Sequence, residues 1–207
     1  MSENPCLGIE SSLSSGPRGL TKTSEIQLFS GRVIDPLNPD PDLIVIEDIA
    51  HATSMQCRFS GHVREFYSVA THSFNVSFYV PPEDALQALL HDGTEAYLCD
   101  VPSPLKHDVF GSRYREFEEN LWRVIAKKFG VAEVITDAVH RADKRLLATE
   151  VRDLLPRPEW NIVEIERVWG PWLKGIIPLA EYINGESPAV AEKHFLTRFE
   201  YLTRTGV

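Results

Sequence analysis

Between Arg64 and Leu155 the apolar residues recur at intervals of three and four, and that period commits most of this chain to helices packed face to face. In REFYSVATHSFNVSFYV, the residues Val69, Val76, Tyr79 and Val80 share one face, with His72 three places after Val69. PPEDALQALLHDGTEA predicts a helix starting near Pro82, with acids in its first turn where the helix dipole favours them. GSRYREFEENLWRVIAKKFG sets Tyr114, Phe117, Leu121, Val124 and Ile125 on one stripe, between a cap at Ser112 and a stop at Gly130. VAEVITDAVHRADKRLLATEVRDLL predicts another long helix. After Pro156 and Pro158 the pattern is interrupted by WGPWLKG, and Ser187-Pro188 starts a last helix through Phe195, Leu196 and Phe199. Upstream, IQLF and LIVI flank a Pro/Asn/Asp turn region and predict a short two-stranded ribbon. The expected fold is all-α, a helical bundle with a small N-terminal β-ribbon.

A chain of 207 residues, 43% of them hydrophobic, is long enough for one compact domain with a substantial core. The expectation is a single domain over residues 25–207, after a Ser- and Gly-rich tail over 1–24 that reads as disordered. With 21 Lys and Arg against 30 Asp and Glu, the net charge of -9 argues against a surface that grips nucleic acid through its phosphates. A small anionic ligand remains open to it, because a metal or a local cluster of bases reverses the sign inside one pocket. Cys6, Cys57 and Cys99 are odd in number and form no C-x-x-C pair, which suits a reducing, cytoplasmic setting. No apolar run approaches the roughly 20 residues of a membrane span, and the first residues lack the basic-then-apolar order of a secretion signal.

Asp143 breaks the pattern. It lies in the apolar stripe of its helix, with Val139 four residues before it and Leu146 and Leu147 three and four after. A buried, ionised carboxylate needs a cation, hydrogen bonds or a metal. His72 raises the same question. Taken singly, each has a plain structural explanation: a core histidine bonded to a backbone carbonyl, and a carboxylate paired with Arg141 or Arg145. Taken together, His72, His91, Asp92 and Asp143 form a nitrogen and oxygen set suited to a first-row divalent metal. Adjacent His91 and Asp92 point about 100° apart on a regular helix, so both reach one ion only from near the helix axis or through a locally distorted turn. Glu95, three residues after Asp92 and four after His91, falls on the same helical side as the pair, where it can orient or deprotonate a water.

The order His72, then His91-Asp92, then Asp143 resembles the metal-binding signature of the HD-domain phosphohydrolase superfamily. CRFSGHVREFYSVATHS, ALLHDGTEAYLCDVPSPLK and RADKRLLATE are similar to the YfbR-like 5'-nucleotidase branch and to its phage-type relatives, including DatZ-type dATP triphosphohydrolases. The similarity spans roughly residues 28–155, and no motif is matched from Pro156 onward. The resemblance implies an HD-domain bundle holding one divalent transition metal (Mn, Co, Zn or Fe) on His72, His91, Asp92 and Asp143. A second Mg or Mn would accompany a triphosphate substrate. It also implies Glu95 and Asp100 as the residues that activate water and protonate the leaving oxygen, Arg58 as a substrate-contacting arginine, and a homodimer or higher assembly.

Several residues keep two readings. Glu95 is otherwise a solvated helix end, and Asp100 a turn residue ahead of Pro102. His62 is a candidate second phosphate contact, and Lys106 a further phosphate contact or an exposed lysine. Phe59 stacks on a base or packs in the core, with packing favoured. Lys144 and the histidines His107, His140 and His194 read as surface positions, and His51 as a cap or core residue. Trp160, Trp169 and Trp172 read as packing or subunit contacts. The leading expectation is a hydrolase of deoxynucleotides, removing the 5'-phosphate of a monophosphate or releasing triphosphate. A phosphodiesterase on cyclic or signalling nucleotides, and a non-catalytic nucleotide-binding protein with a structural metal, are the alternatives.

Overall fold

Residues 24–106, 111–156 and 162–205 are described by the computed structural model, and they are mostly helical, with a small two-stranded antiparallel sheet near the N-terminus. The tail up to residue 23, together with His107 and Trp160, lies outside the described residues. The strands are β1 (Ile26–Gln27) and β2 (Val33–Ile34), and the helices are α1 (Ile46–Met55), α2 (Val69–Val76), α3 (Ala85–Leu90), α4 (Glu95–Leu98), α5 (Ser103–Leu105), α6 (Gly111–Phe129), α7 (Asp137–Asp153), α8 (Ile162–Leu173) and α9 (Pro188–Thr205). Among the described residues, no helix is long and apolar enough to cross a membrane.

Helix α9 closes the core by packing across α1, α2 and α3. It sets Ala191, Phe195 and Leu202 against Ile49, Ala70, Leu89 and Leu90, with Leu121 and Ile125 of α6 completing the cluster. Each such aliphatic or aromatic side chain removed from water contributes about 1.5–3 kcal/mol. A second cluster of Val76, Ala88, Val139, Ala142 and Leu146 presses α7 onto α2 and α3, and Leu179 from the segment after α8 covers it.

The ribbon differs from its expected pairing. Ile26 pairs with Ile34 and Gln27 with Val33, whereas LIVI lies outside the sheet. Asp40 caps a 3-10 turn over Pro41–Leu43, Ile44 is buried, and Ile46 already opens α1. A short apolar β-branched run is compatible with either fate, and here burial on the helical core decided it. Gly31, at φ 82°, makes the turn between the strands. The turn is pinned to α1 by Ser30, whose N–H and hydroxyl donate to the buried carboxylate of Asp48 at 2.7 and 2.8 Å.

Helix α2 stops at Val76, so Tyr79 is 40% exposed instead of continuing the apolar face; Arg198 holds the helix end by donating to the hydroxyl and carbonyl of Ser77. Helix α6 starts at Gly111, one residue before the expected Ser112 cap, and α7 starts only at Asp137, where the hydroxyl of Thr136 accepts from Val139 N–H. Helix α8 occupies the stretch expected to be an interruption and contains Pro171.

The most consequential departure falls at His91 and Asp92. The helix expected through GTEA ends at Leu90, the chain turns over residues 91–94, and α4 begins afresh at Glu95. Gly93 sits at the tight point, where a Cβ would stand 2.9 Å from the carbonyl oxygen of Leu90 and against the side chains of Ile49 and Ile125. Glycine is the residue that allows this approach. The distorted turn lets two consecutive side chains address one point.

Candidate metal centre and its pocket

Three helix-borne segments meet at that point. His72 comes from the middle of α2, His91 and Asp92 from the turn after α3, and Asp143 from the second turn of α7. His72, His91 and Asp92 each offer one ligand atom, and these atoms lie within 4.8 Å of one another. Asp143 joins from one side, its Oδ1 lying 3.1 Å from His72 Nε2. Asp92 Oδ2 is 3.6 Å from His72 Nε2 and 3.4 Å from His91 Nε2. Donors around a single ion at about 2.1 Å stand roughly 3.0–3.4 Å apart, so the spacing fits a shared divalent cation.

The hydrogen bonding shows why these atoms face one another. Glu150 Oε1 lies 2.6 Å from His72 Nδ1, and the Ala88 carbonyl lies 2.7 Å from His91 Nδ1. The carbonyl only accepts, and Glu150 is held ionised, so both imidazoles donate through Nδ1 and turn Nε2 toward the cluster. Both Nε2 atoms are buried and without a hydrogen-bond partner. An oriented, orphaned imidazole nitrogen beside carboxylates is what a metal ligand with a supporting acceptor looks like.

The charges agree. Burial opposes ionisation of Asp92 and Asp143, yet the neighbouring histidines and Arg58 outweigh it and hold both carboxyls below their usual range. Burial and Arg58 press His72 toward neutrality, but Glu150 and Asp143 prevail and raise it to about 10. The cluster therefore calls for positive charge at Nε2, supplied by a proton or by a cation that displaces it. Asp143 itself is 34% exposed, at the edge of a pocket, and faces His72; Arg145 donates elsewhere, to the carbonyl of Ile177.

Glu150, absent from the residues expected at the site, joins His72 to Arg58 there. It is fully buried, one turned-in position seven residues after Asp143 on α7, and that spacing of two helical turns was the available signal. Its Oε2 accepts from Arg58 Nε and Nη2 at 3.2 and 3.0 Å. Arg58 Nη1 lies 3.6 Å from Asp92. The arginine proposed from sequence as a phosphate contact thus lines the pocket, but with much of its fork committed to Glu150.

The pocket has a volume of about 260 Å³ and opens beside the cluster. Arg58, Phe59, Asp92, Glu95, Asp100, Lys106 and Asp143 all line it. His62 is exposed and is not among its lining residues. Glu95 is buried, not a solvated helix end: its Oε2 has no partner, and burial, with Asp92 and Asp100 adding, pushes its carboxyl well above the usual range. Asp100 is raised too, by burial first, with Arg58 opposing. Lys106 Nζ is 2.7 Å from Glu118 Oε1 and 3.4 Å from Glu95 Oε1, so it is an anchored cation, not an exposed lysine.

The opposite wall is aromatic and apolar. Phe59, half-buried and in the left-handed region at φ 55°, meets Trp169 edge-on at 6.1 Å between ring centroids. Val168, Trp169 and Trp172 of α8 and Leu147 of α7 complete it. The two tryptophans read from sequence as packing or subunit contacts face this pocket, as does Phe59. Elsewhere, His51 stacks on Phe29 and pairs with Glu192, His194 stacks on Phe74 and pairs with Glu186, and His140 and Lys144 are exposed.

Among known proteins, the chain is 41% identical over 184 residues to an uncharacterized protein of Escherichia coli K12, YfdR, a match covering 87% of this chain and 96% of that protein. It is 35% identical over 127 residues to an uncharacterized protein of Rhodobacter capsulatus, covering 57% of this chain and 64% of that one. No family model matches it.

Proposed function

The chain belongs to the family of YfdR, and from its site we propose that it is a metal-dependent phosphohydrolase of the HD-domain type that removes the 5'-phosphate of deoxynucleotides. The observation that carries this reading is the pair of orphaned Nε2 atoms on His72 and His91, fixed by their Nδ1 bonds beside the carboxylates of Asp92 and Asp143. These four residues would hold one divalent transition metal. Such an ion polarises a phosphoryl oxygen and acidifies water at neutral pH.

The chain's own groups do the rest. Glu95 and Asp100, whose carboxyls burial raises above their usual range, hold protons more firmly than exposed acids do; between them they take the proton of the attacking water and give one to the leaving 5'-oxygen. Arg58 Nη1, on the pocket side of its Glu150 anchor, and Lys106 lend positive charge to the phosphoryl oxygens. The wall of Phe59 and Trp169 offers faces for a nucleobase. Both acids standing at the pocket disfavour a purely structural metal in a non-catalytic protein.

Charge favours the monophosphate. The described pocket residues include four carboxyls, those of Asp92, Glu95, Asp100 and Asp143, against two cations, Arg58 and Lys106, each already held by an acid. Burial favours the protonated forms of Glu95 and Asp100; with those two neutral, the cations balance Asp92 and Asp143, and one divalent ion is left to offset a single phosphate but not a triphosphate tail. The cavity is also at or below the small end of ligand sites, which run from about 300 Å³. The same reading places the protein in a reducing cytoplasm, with Cys57 and Cys99 both free, as a homo-oligomer.

Incubation of the purified protein with dAMP or dATP and Mn or Co, with identification of the released species, tests this. Phosphate from dAMP is expected. Triphosphate from dATP would move the substrate, turnover of cyclic dinucleotides alone would favour a phosphodiesterase, and no release from any nucleotide by the metal-loaded protein would overturn the reading.

A further inference from the structure

Gln56, at the C-terminal end of α1, touches none of the proposed ligands, yet three segments of the site hang on it. Its side-chain Nε2 donates to the carbonyl of Glu95 at 2.9 Å, and its Oε1 accepts the backbone N–H of Asp100 at 3.0 Å. Its own carbonyl accepts the N–H of Val69 at 3.1 Å, at the start of the helix that carries His72. A second contact from Nε2 to the Ala52 carbonyl, at 3.3 Å, ties the amide back to α1.

We propose that Gln56 is a positioning residue that sets Glu95 and Asp100 in register with the metal cluster. This rests on the hydrolase reading above. The need for such a clamp is visible in the backbone between the two acids. Helix α4 is a single turn, Glu95 to Leu98, and cannot hold its own geometry. It ends at Cys99 with φ 67°, a conformation that a non-glycine residue keeps only when its surroundings impose it. Gln56 bonds the chain on both sides of that residue, at the carbonyl four positions before and at the amide directly after. Only a side chain with a donor and an acceptor on one planar group spans the two, and glutamine supplies both. The backbone half of Gln56 fixes α2 at the same time, so one residue sets the spacing between the cluster and the proton-handling carboxyls.

The test uses the full-length, metal-loaded protein and two substitutions. Gln56→Met keeps the length and removes both side-chain bonds; Gln56→Glu keeps the acceptor for Asp100 and removes the donor to Glu95. In Gln56→Met, amide exchange at Asp100 should accelerate roughly tenfold, as for loss of one neutral hydrogen bond, while Val69, held by the main chain, stays as in wild type. Its kcat should fall about 10- to 100-fold with KM within about twofold and metal content unchanged, because displaced catalytic groups cost rate and not ground-state binding. The pH profile of kcat should shift as Glu95 and Asp100 separate, which a general loss of stability would not produce. Gln56→Glu should retain slow exchange at Asp100 and recover part of the rate. Unchanged exchange at Asp100, or unchanged kcat with accelerated exchange, overturns the proposal and leaves the hydrolase reading standing. A wild-type protein without phosphohydrolase activity overturns that reading instead, and with it the catalytic purpose of the clamp.

Discussion

Glu150 Oε1 takes the Nδ1–H of His72 at 2.6 Å, in a place that water does not reach. The bond fixes which nitrogen of His72 faces the cluster, and the second oxygen of Glu150 holds Arg58. Glu150→Gln keeps the shape but removes the charge that both partners need. Metal affinity should weaken by about 10- to 100-fold, as is usual when the acceptor behind a ligating histidine is lost. Titration of chelator-treated protein with Co or Zn measures it, and equal affinity in the variant would show that Glu150 does not orient His72.

His91→Ala and Asp92→Ala each delete one of the three closely grouped ligand atoms. Both variants should lose bound metal and phosphohydrolase activity together. Elemental analysis after metal loading and desalting is the check, and stoichiometric metal in both would contradict the assignment.

The raised basicity of His72 gives metal binding a pH dependence of known sign. With its value near 10, His72 in the metal-free protein carries a proton at neutral pH, and a cation must displace it. Affinity should therefore rise by about tenfold per pH unit across the neutral range. In the metal-free protein the same shift stabilises the fold below the unfolded histidine value of about 6.5, and that stability is lost as pH rises through about 10. Affinities measured at several pH values in matched ionic strength would settle it; a flat profile would mean that His72 is already neutral.

Glu95→Gln leaves the ligand set intact and removes a proton acceptor. The variant should keep its metal and lose about 100-fold or more in kcat. Unchanged turnover would take Glu95 out of the reaction.

Trp169→Ala opens the wall opposite the cluster. If that wall receives a base, KM for a deoxynucleoside monophosphate should rise by an amount equivalent to about 1–3 kcal/mol of stacking, while turnover of a small phosphomonoester without a ring changes little. Equal effects on both substrates would assign Trp169 to packing alone.

The period of the apolar residues carried the helices, because a stripe such as Tyr114 to Ile125 has one way to bury itself, and the ligand candidates stood out because His72 and Asp143 interrupt such stripes. What eluded the sequence was whatever depends on chain meeting chain. LIVI has the same composition as a strand or as the entry to a buried helix, and burial on the helical core decided between them. The turn at Gly93 is tight against the nearby carbonyl of Leu90, and Ile49 and Ile125, which are remote in the chain, pack against it. Glu150 and Gln56 are ordinary polar residues until their partners, 78 and 44 positions away, are brought alongside. Lys106 looked free for want of Glu118, its neighbour across the α5 to α6 connection.

The place of α8 has a consequence for how such a protein diversifies. Every residue of the metal cluster and its support lies between Gln56 and Glu150, whereas Val168, Trp169 and Trp172 stand in a later stretch of the chain, past Pro156. On the proposed reading, the reaction sits wholly on the earlier segment, and a share of the choice of molecule, beside Phe59 and Leu147, sits on the later one. Drift in a few positions of one helix would then change the menu while the cutting edge stays as it was.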